Sequence, residues 1–148
     1  MKKTILATAM MLMAGLTVAF AKDNEGVNNQ IASSFHKDFT SATNISWSVQ
    51  KDFTKATFTM NSQVMFAFYN EDGNLIATAR NILSEQLPIN LLKSIRKDYG
   101  NYWISDLFEI DKDGQVSYYV TVENADETLV LKSNSYGDWS TYKKAKKI

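Results

Sequence analysis

The chain has no cysteine, one histidine, one proline and six glycines, and its sixteen basic residues are matched by sixteen acids. Each scarcity excludes something. Without cysteine there is no disulfide scaffold, so stability must come from a packed core. Without cysteine or a second histidine, zinc sites and Cys–His nucleophile pairs cannot be assembled. The glycines form no phosphate-cradling loop and no Gly-x-Ser-x-Gly elbow, and no cofactor motif occurs. Balanced charge gives no electrostatic reason to expect nucleic acid or an anionic membrane. What is present is apolar: 45% of residues are hydrophobic and 12% aromatic. That is too much for intrinsic disorder and enough for a core.

The first residues read as a cleavable secretory signal. Lys2 and Lys3 form a positive start, Ile5 to Phe20 run without a charge, and Ala19-Phe20-Ala21 supplies small residues where a signal peptidase cuts. The run falls short of the ~20 residues a spanning helix needs, and Asp23 and Glu25 follow it. No cysteine follows either, which excludes a lipid anchor. The expected organisation is a signal peptide at 1–21, a flexible lead-in at 22–26 and a single α+β domain at 27–148. Cleavage removes two lysines and no acid, leaving the mature chain slightly acidic. The protein is expected in the periplasm or outside the cell, with no membrane insertion after cleavage. Lys143, Lys144, Lys146 and Lys147 read as a solvated C-terminal end, or else as a contact for an acidic partner.

Two stretches have helical period. Val27, Ile31, Phe35 and Phe39 recur every four residues. Ile89, Leu92, Ile95 and Tyr99 follow at helical spacing of three or four, with Pro88 suited to a first turn and Gly100 placed for a left-handed C-terminal cap. The remainder alternates with period two, which predicts strands near 44–50, 54–60, 63–70, 74–81, 102–110, 115–123, 126–133 and 137–142. Turns fall at Asn61-Ser62, at Gly73, at Lys112-Asp113-Gly114 and at Tyr136-Gly137-Asp138.

The halves align. Ser34-Phe35-His36-Lys37-Asp38-Phe39 matches Ser94-Ile95-Arg96-Lys97-Asp98-Tyr99, Ile45-Ser46 matches Ile104-Ser105, and Phe58-Thr59-Met60 matches Val120-Thr121-Val122. The expected fold class is therefore α+β: a tandem repeat (27–83 and 84–148) of one helix plus about four antiparallel strands. The repeats would form one curved antiparallel sheet with both helices on one face.

Alternation then assigns the faces. Ile45, Trp47 and Val49, then Phe58 and Met60, then Val64, Phe66 and Phe68, should lie under the helices. Phe108 and Ile110, Tyr118, Val120 and Val122, then Leu129 and Leu131, should do so in the second half. The opposite, open face would carry hydroxyls, Met65, Ala67 and Lys132 around the candidate binding residues Tyr69, Arg80, Trp103, Leu107 and Tyr119. Exposed aromatics of this kind mark contact sites.

Several segments together resemble the PepSY-like exported proteins of Bacteroides-type bacteria, whose fold is similar to β-lactamase inhibitory protein. They are Ala42-Thr43-Asn44-Ile45-Ser46-Trp47, the run from Phe66 through Gly73 to Thr78, and Leu87-Pro88. The likeness spans roughly residues 30–142. It departs where a proline would precede Ala42 and at the last turn. The resemblance implies a curved antiparallel sheet with helices on one side and no established catalytic residues.

Reactive constellations are scarce. His36 falls on the polar side of the first helix, and the repeat places Arg96 at the equivalent position, which reads as a surface histidine. Asp111-x-Asp113-Gly114 has a faint calcium-loop look but lacks the remaining ligands, so a hairpin turn accounts for it. Trp47 and Trp139 read as core. The expected function is that of a non-enzymatic binding module for a protein or peptide, with inhibition of a peptidase as one form. The alternative is a periplasmic small-ligand carrier. The sequence leaves the partner and the oligomeric state open.

Overall fold

The computed structural model describes residues 26–133 and 137–148. The secretory signal at 1–21, residues 22–25 of the lead-in and Tyr136 of the last turn lie outside them. In chain order the elements are α1 (Asn29–Asp38), β1 (Thr43–Val49), β2 (Thr54–Met60), β3 (Gln63–Tyr69) and β4 (Leu75–Asn81). A 3-10 turn (Ser84–Gln86), α2 (Ile89–Asp98), β5 (Trp103–Lys112), β6 (Gln115–Glu123), β7 (Glu127–Ser133) and β8 (Trp139–Lys146) follow. The eight strands form one open antiparallel sheet in sequence order, with β1 and β8 at its edges. The chain divides into two compact units between Ile76 and Ala77.

In the first unit, Asn28 caps α1 by accepting a 2.8 Å bond from the Gln30 amide. Ile31 and Phe35, one turn apart, are buried. Phe35 is the hub: its ring centroid lies 5.3 Å from Phe39, 5.1 Å from Trp47 and 5.0 Å from Phe58. Ala56 and Phe58 of β2 and Ala67 and Tyr69 of β3 complete the cluster. Burial of each large side chain there contributes about 1.5–3 kcal/mol.

The β3 face differs from the expected one. Met65, Ala67 and Tyr69 face α1, while Val64, Phe66 and Phe68 point the other way. The turn dictates this. Asn61 and Ser62 both have positive φ (52° and 62°), as a two-residue hairpin turn of the twist-matching type requires. Met60 therefore pairs with Gln63, Phe58 with Met65 and Ala56 with Ala67. Paired residues share a face, so β2 sets β3. On the far side Phe66 and Phe68 are nonetheless fully buried, and so is most of Lys55. The Lys55 ammonium lies 5.6 Å from the Phe66 ring, and burial lowers its pKa. Val49, also expected under the helix, is exposed.

In the second unit, Leu91 and Ile95 of α2 pack on Leu107, Val120, Val122, Leu129 and Leu131. Trp139 joins them, its indole nitrogen donating to the Leu91 carbonyl at 3.1 Å. Leu107 thus lies under α2, contrary to its expected place on the open face, and Phe108 and Ile110 face away. The Asp113–Gly114 turn again has two positive φ values (54° and 77°), pairing Lys112 with Gln115 and hence Leu107 with Val120. A bulge between Ile104 and Asp106 inserts one extra residue. It breaks the alternation, so Trp103 and Phe108 share a face although five positions apart.

Two smaller expectations also give way. Gly100 is not left-handed; a side chain there would lie 2.8 Å from the Arg96 carbonyl, so close approach of backbone explains the glycine. The last strand runs past its expected end at 142, to Lys146, while the C-terminal lysines are exposed, as expected of a solvated end. Lys144 pairs with Glu127 at 2.6 Å and Lys147 with Glu123 at 2.8 Å.

Candidate functional site

The bulge in β5 delivers Trp103 to the face of β5–β8 turned away from α2, where its side chain is 54% exposed. Glu123 sits opposite it on β6 and pairs onward with Thr128 of β7. The Lys147 ammonium lies 4.7 Å from the Trp103 ring centroid while bonding Glu123, so one cation serves an aromatic and a carboxylate. Two residues beyond Glu123 on the same face, Thr121 pairs with Asp106.

These carboxyls differ electrically. Burial, and then the charge of Glu123, raise the pKa of Asp106. The hydrogen bond from Lys147, and then that from Ser105, pull Glu123 below the usual carboxylate range. Farther along the face, Lys132 lies over the Tyr119 ring at 5.4 Å, and Tyr142 meets Tyr119 edge-on at 5.4 Å. The result is a strip of alternating aromatic, hydroxyl and charged groups. It can offer stacking surface, hydroxyl donors and acceptors, and both signs of charge.

Of the five residues expected to form the site, Trp103 and Tyr119 share this strip. Tyr119 is only 3% exposed, so it supports the surface from below. Tyr69 lies under α1, fully buried, because of the β2–β3 register. Leu107 lies under α2 for the corresponding reason. Arg80 faces the α2 side: it pairs with Glu109 across β4–β5 and bonds that carboxylate at 2.7 Å. This bond raises the Arg80 pKa, and Tyr118 donates to the same carboxylate at 3.3 Å.

His36 is exposed on α1, with its ring 5.7 Å from Phe35. Asp111 accepts a 2.9 Å bond from the Gly114 amide, which is hairpin chemistry. Trp47 and Trp139 each pack beside the core of their own unit. Glu123 and Asp106 escaped sequence reasoning, and Lys147 entered it only as one of four C-terminal lysines. The alternation through Tyr119 and Thr121 already pointed to Glu123, whereas Asp106 was hidden by the bulge and the place of Lys147 by the extension of the last strand beyond its expected end at 142.

No family model matches the chain, and the search of curated proteins finds no match. Solved structures do match in fold. A DUF2874 family protein from Bacteroides ovatus superposes with a TM-score of 0.73 at 18% identity, covering 83% of this chain and 89% of its own. A BLIP-like protein from Bacteroides fragilis gives 0.69 at 17% identity, covering 84% and 92%. A protein from Bacteroides eggerthii, inferred to be periplasmic, gives 0.73 at 12% identity, covering 81% and 88%. At such identities the likeness is one of fold. Among the described residues no helix is long and apolar enough to cross a membrane.

Proposed function

We propose that the chain is an exported, non-enzymatic binding module that holds a protein or peptide on the β5–β8 face around Trp103. The observation that carries this reading is the exposure of a tryptophan at the start of β5, at one end of a polar strip and beside Lys147 and Glu123. Aromatic anchors ringed by satisfied polar groups are the usual core of protein contacts. The BLIP-like and inferred periplasmic relatives in fold support the same reading by analogy, and kinship with PepSY-like proteins belongs to the same proposal. A peptidase is one partner such a face suits, the module then acting as inhibitor.

The proposal includes an origin by duplication. α1 and α2 have equal length, and the residues 31–40 and 91–100 follow the same order of buried, half-buried and exposed positions. Each of β1 and β5 carries a bulge near its start. A side chain at Gly73 would crowd Gln30, and one at Gly137 would strike Asn90, sixty positions after Gln30.

The test is affinity capture from the native envelope with the Trp103→Ala and Thr121→Arg variants beside the parent chain. Both variants should fold and lose the captured partner. Retention of the partner by both would remove the sheet face as the site.

A further inference from the structure

A groove of about 270 Å³ opens at the C-terminal end of α2, lined by Ile95, Arg96, Tyr99, Tyr102, Ile104 and Val122. It lies on the α2 side of the second unit and is separate from the Trp103 strip. Ile95 and Val122 are core residues and form its floor. Ile104 is 39% exposed, so the fold leaves an isoleucine partly in water at the rim. The Tyr99 and Tyr102 rings meet edge to face, 5.8 Å apart.

One wall is held rigidly. The Tyr102 hydroxyl donates to Glu127 at 2.6 Å, and Glu127 is itself held by Lys144 at 2.6 Å. Arg96, by contrast, makes no salt bridge among the described residues, and Lys97 follows it in the last turn of the helix. An apolar slot with a fixed aromatic wall thus counts among its lining residues an exposed arginine that forms no salt bridge among the described residues.

That combination selects a ligand class. A cation would be repelled, and a neutral apolar molecule would leave the guanidinium unused. A carboxylate matches the planar fork of arginine with two parallel bonds. The volume sits just below the ~300 Å³ at which small-molecule sites usually begin and equals roughly nine waters. It admits one ring on a short chain and leaves no room for a folded partner. We propose that this groove binds a small aryl carboxylate, with Arg96 receiving the carboxylate and the ring entering between Ile95, Ile104 and Val122.

The experiment titrates the chain with hydrocinnamate and, separately, with its uncharged amide, following backbone amide signals by NMR. Hydrocinnamate should give saturable shifts at Arg96, Tyr102 and Ile104. The amide should bind about tenfold more weakly, as expected when a charge-assisted bond is lost. Arg96→Gln should abolish the difference between acid and amide while keeping a dispersed, folded spectrum. A tripeptide ending in phenylalanine should bind more weakly than the free acid. The proposal is overturned by an absence of saturable shifts, by equal affinity for acid and amide, by tighter binding of the tripeptide, or by shifts centred on Trp103 and Thr121.

Discussion

The Tyr69 hydroxyl donates a 2.9 Å hydrogen bond to Oδ2 of Asp38, tying the end of β3 to the end of α1. Burial first, and then this bond, push the tyrosine pKa above its ordinary value of 10.0. The fold thus favours the protonated phenol. Its contribution is fully present below pH 10 and is lost as pH rises above it, where the unfolded chain gives up the proton more readily. Tyr69→Phe keeps the ring and leaves a solvated Asp38, so it should cost only about 1 kcal/mol at neutral pH. It should also flatten the alkaline loss. Urea unfolding at neutral and alkaline pH checks both.

Leu107 and Trp103 lie four residues apart but on opposite faces, and their substitutions should separate cleanly. Leu107→Ala opens a cavity under α2 and should cost about 2–5 kcal/mol. Trp103→Ala removes a half-exposed ring and should stay within about 1 kcal/mol of the parent. Denaturation midpoints of the two variants provide the comparison. Equal losses would mean that the β5 register differs from the one described.

Glu123 and Glu127 are held below the usual carboxylate range, first of all by bonds from Lys147 and Lys144 respectively. For acids with a depressed folded pKa, the stabilisation is present above the unfolded value, 4.5 for a glutamate, and disappears as pH falls through the folded one. The Lys144→Met, Lys147→Met double variant should therefore lose less stability between neutral pH and pH ~3.5 than the parent chain. A variant as acid-sensitive as the parent would show that these pairs do not couple to folding.

Gly114 holds φ at +77° beside Asp113 at +54°. Gly114→Ala places a side chain in the left-handed region and should cost about 1–2 kcal/mol. The Leu107–Val120 pairing should survive, because Leu107 and Val120 are also bound by the α2 core. Unfolding by urea gives the cost, and cross-strand NMR contacts report the register.

Much of the architecture was legible because local signals agreed. Apolar spacing of three or four residues marks both helices, and the turn residues bracket most strands to within two positions. The candidate site was only partly legible. The run Val64-Met65-Phe66-Ala67-Phe68-Tyr69 is apolar at every position, so alternation alone cannot choose its face. Counting pairs outward from the Asn61-Ser62 and Asp113-Gly114 turns would have placed Tyr69 and Leu107 correctly. No local cue announced the bulge beside Ser105 or turned the lysine-rich end into a strand.

On its own, then, the sequence determined the element types, their order and the tight turns, because each depends on neighbours within a few residues. Tertiary structure decided which side of each strand is sealed. That choice depends on hairpin register and on one inserted residue in β5, and it takes effect only when strands pair and a helix closes over one face.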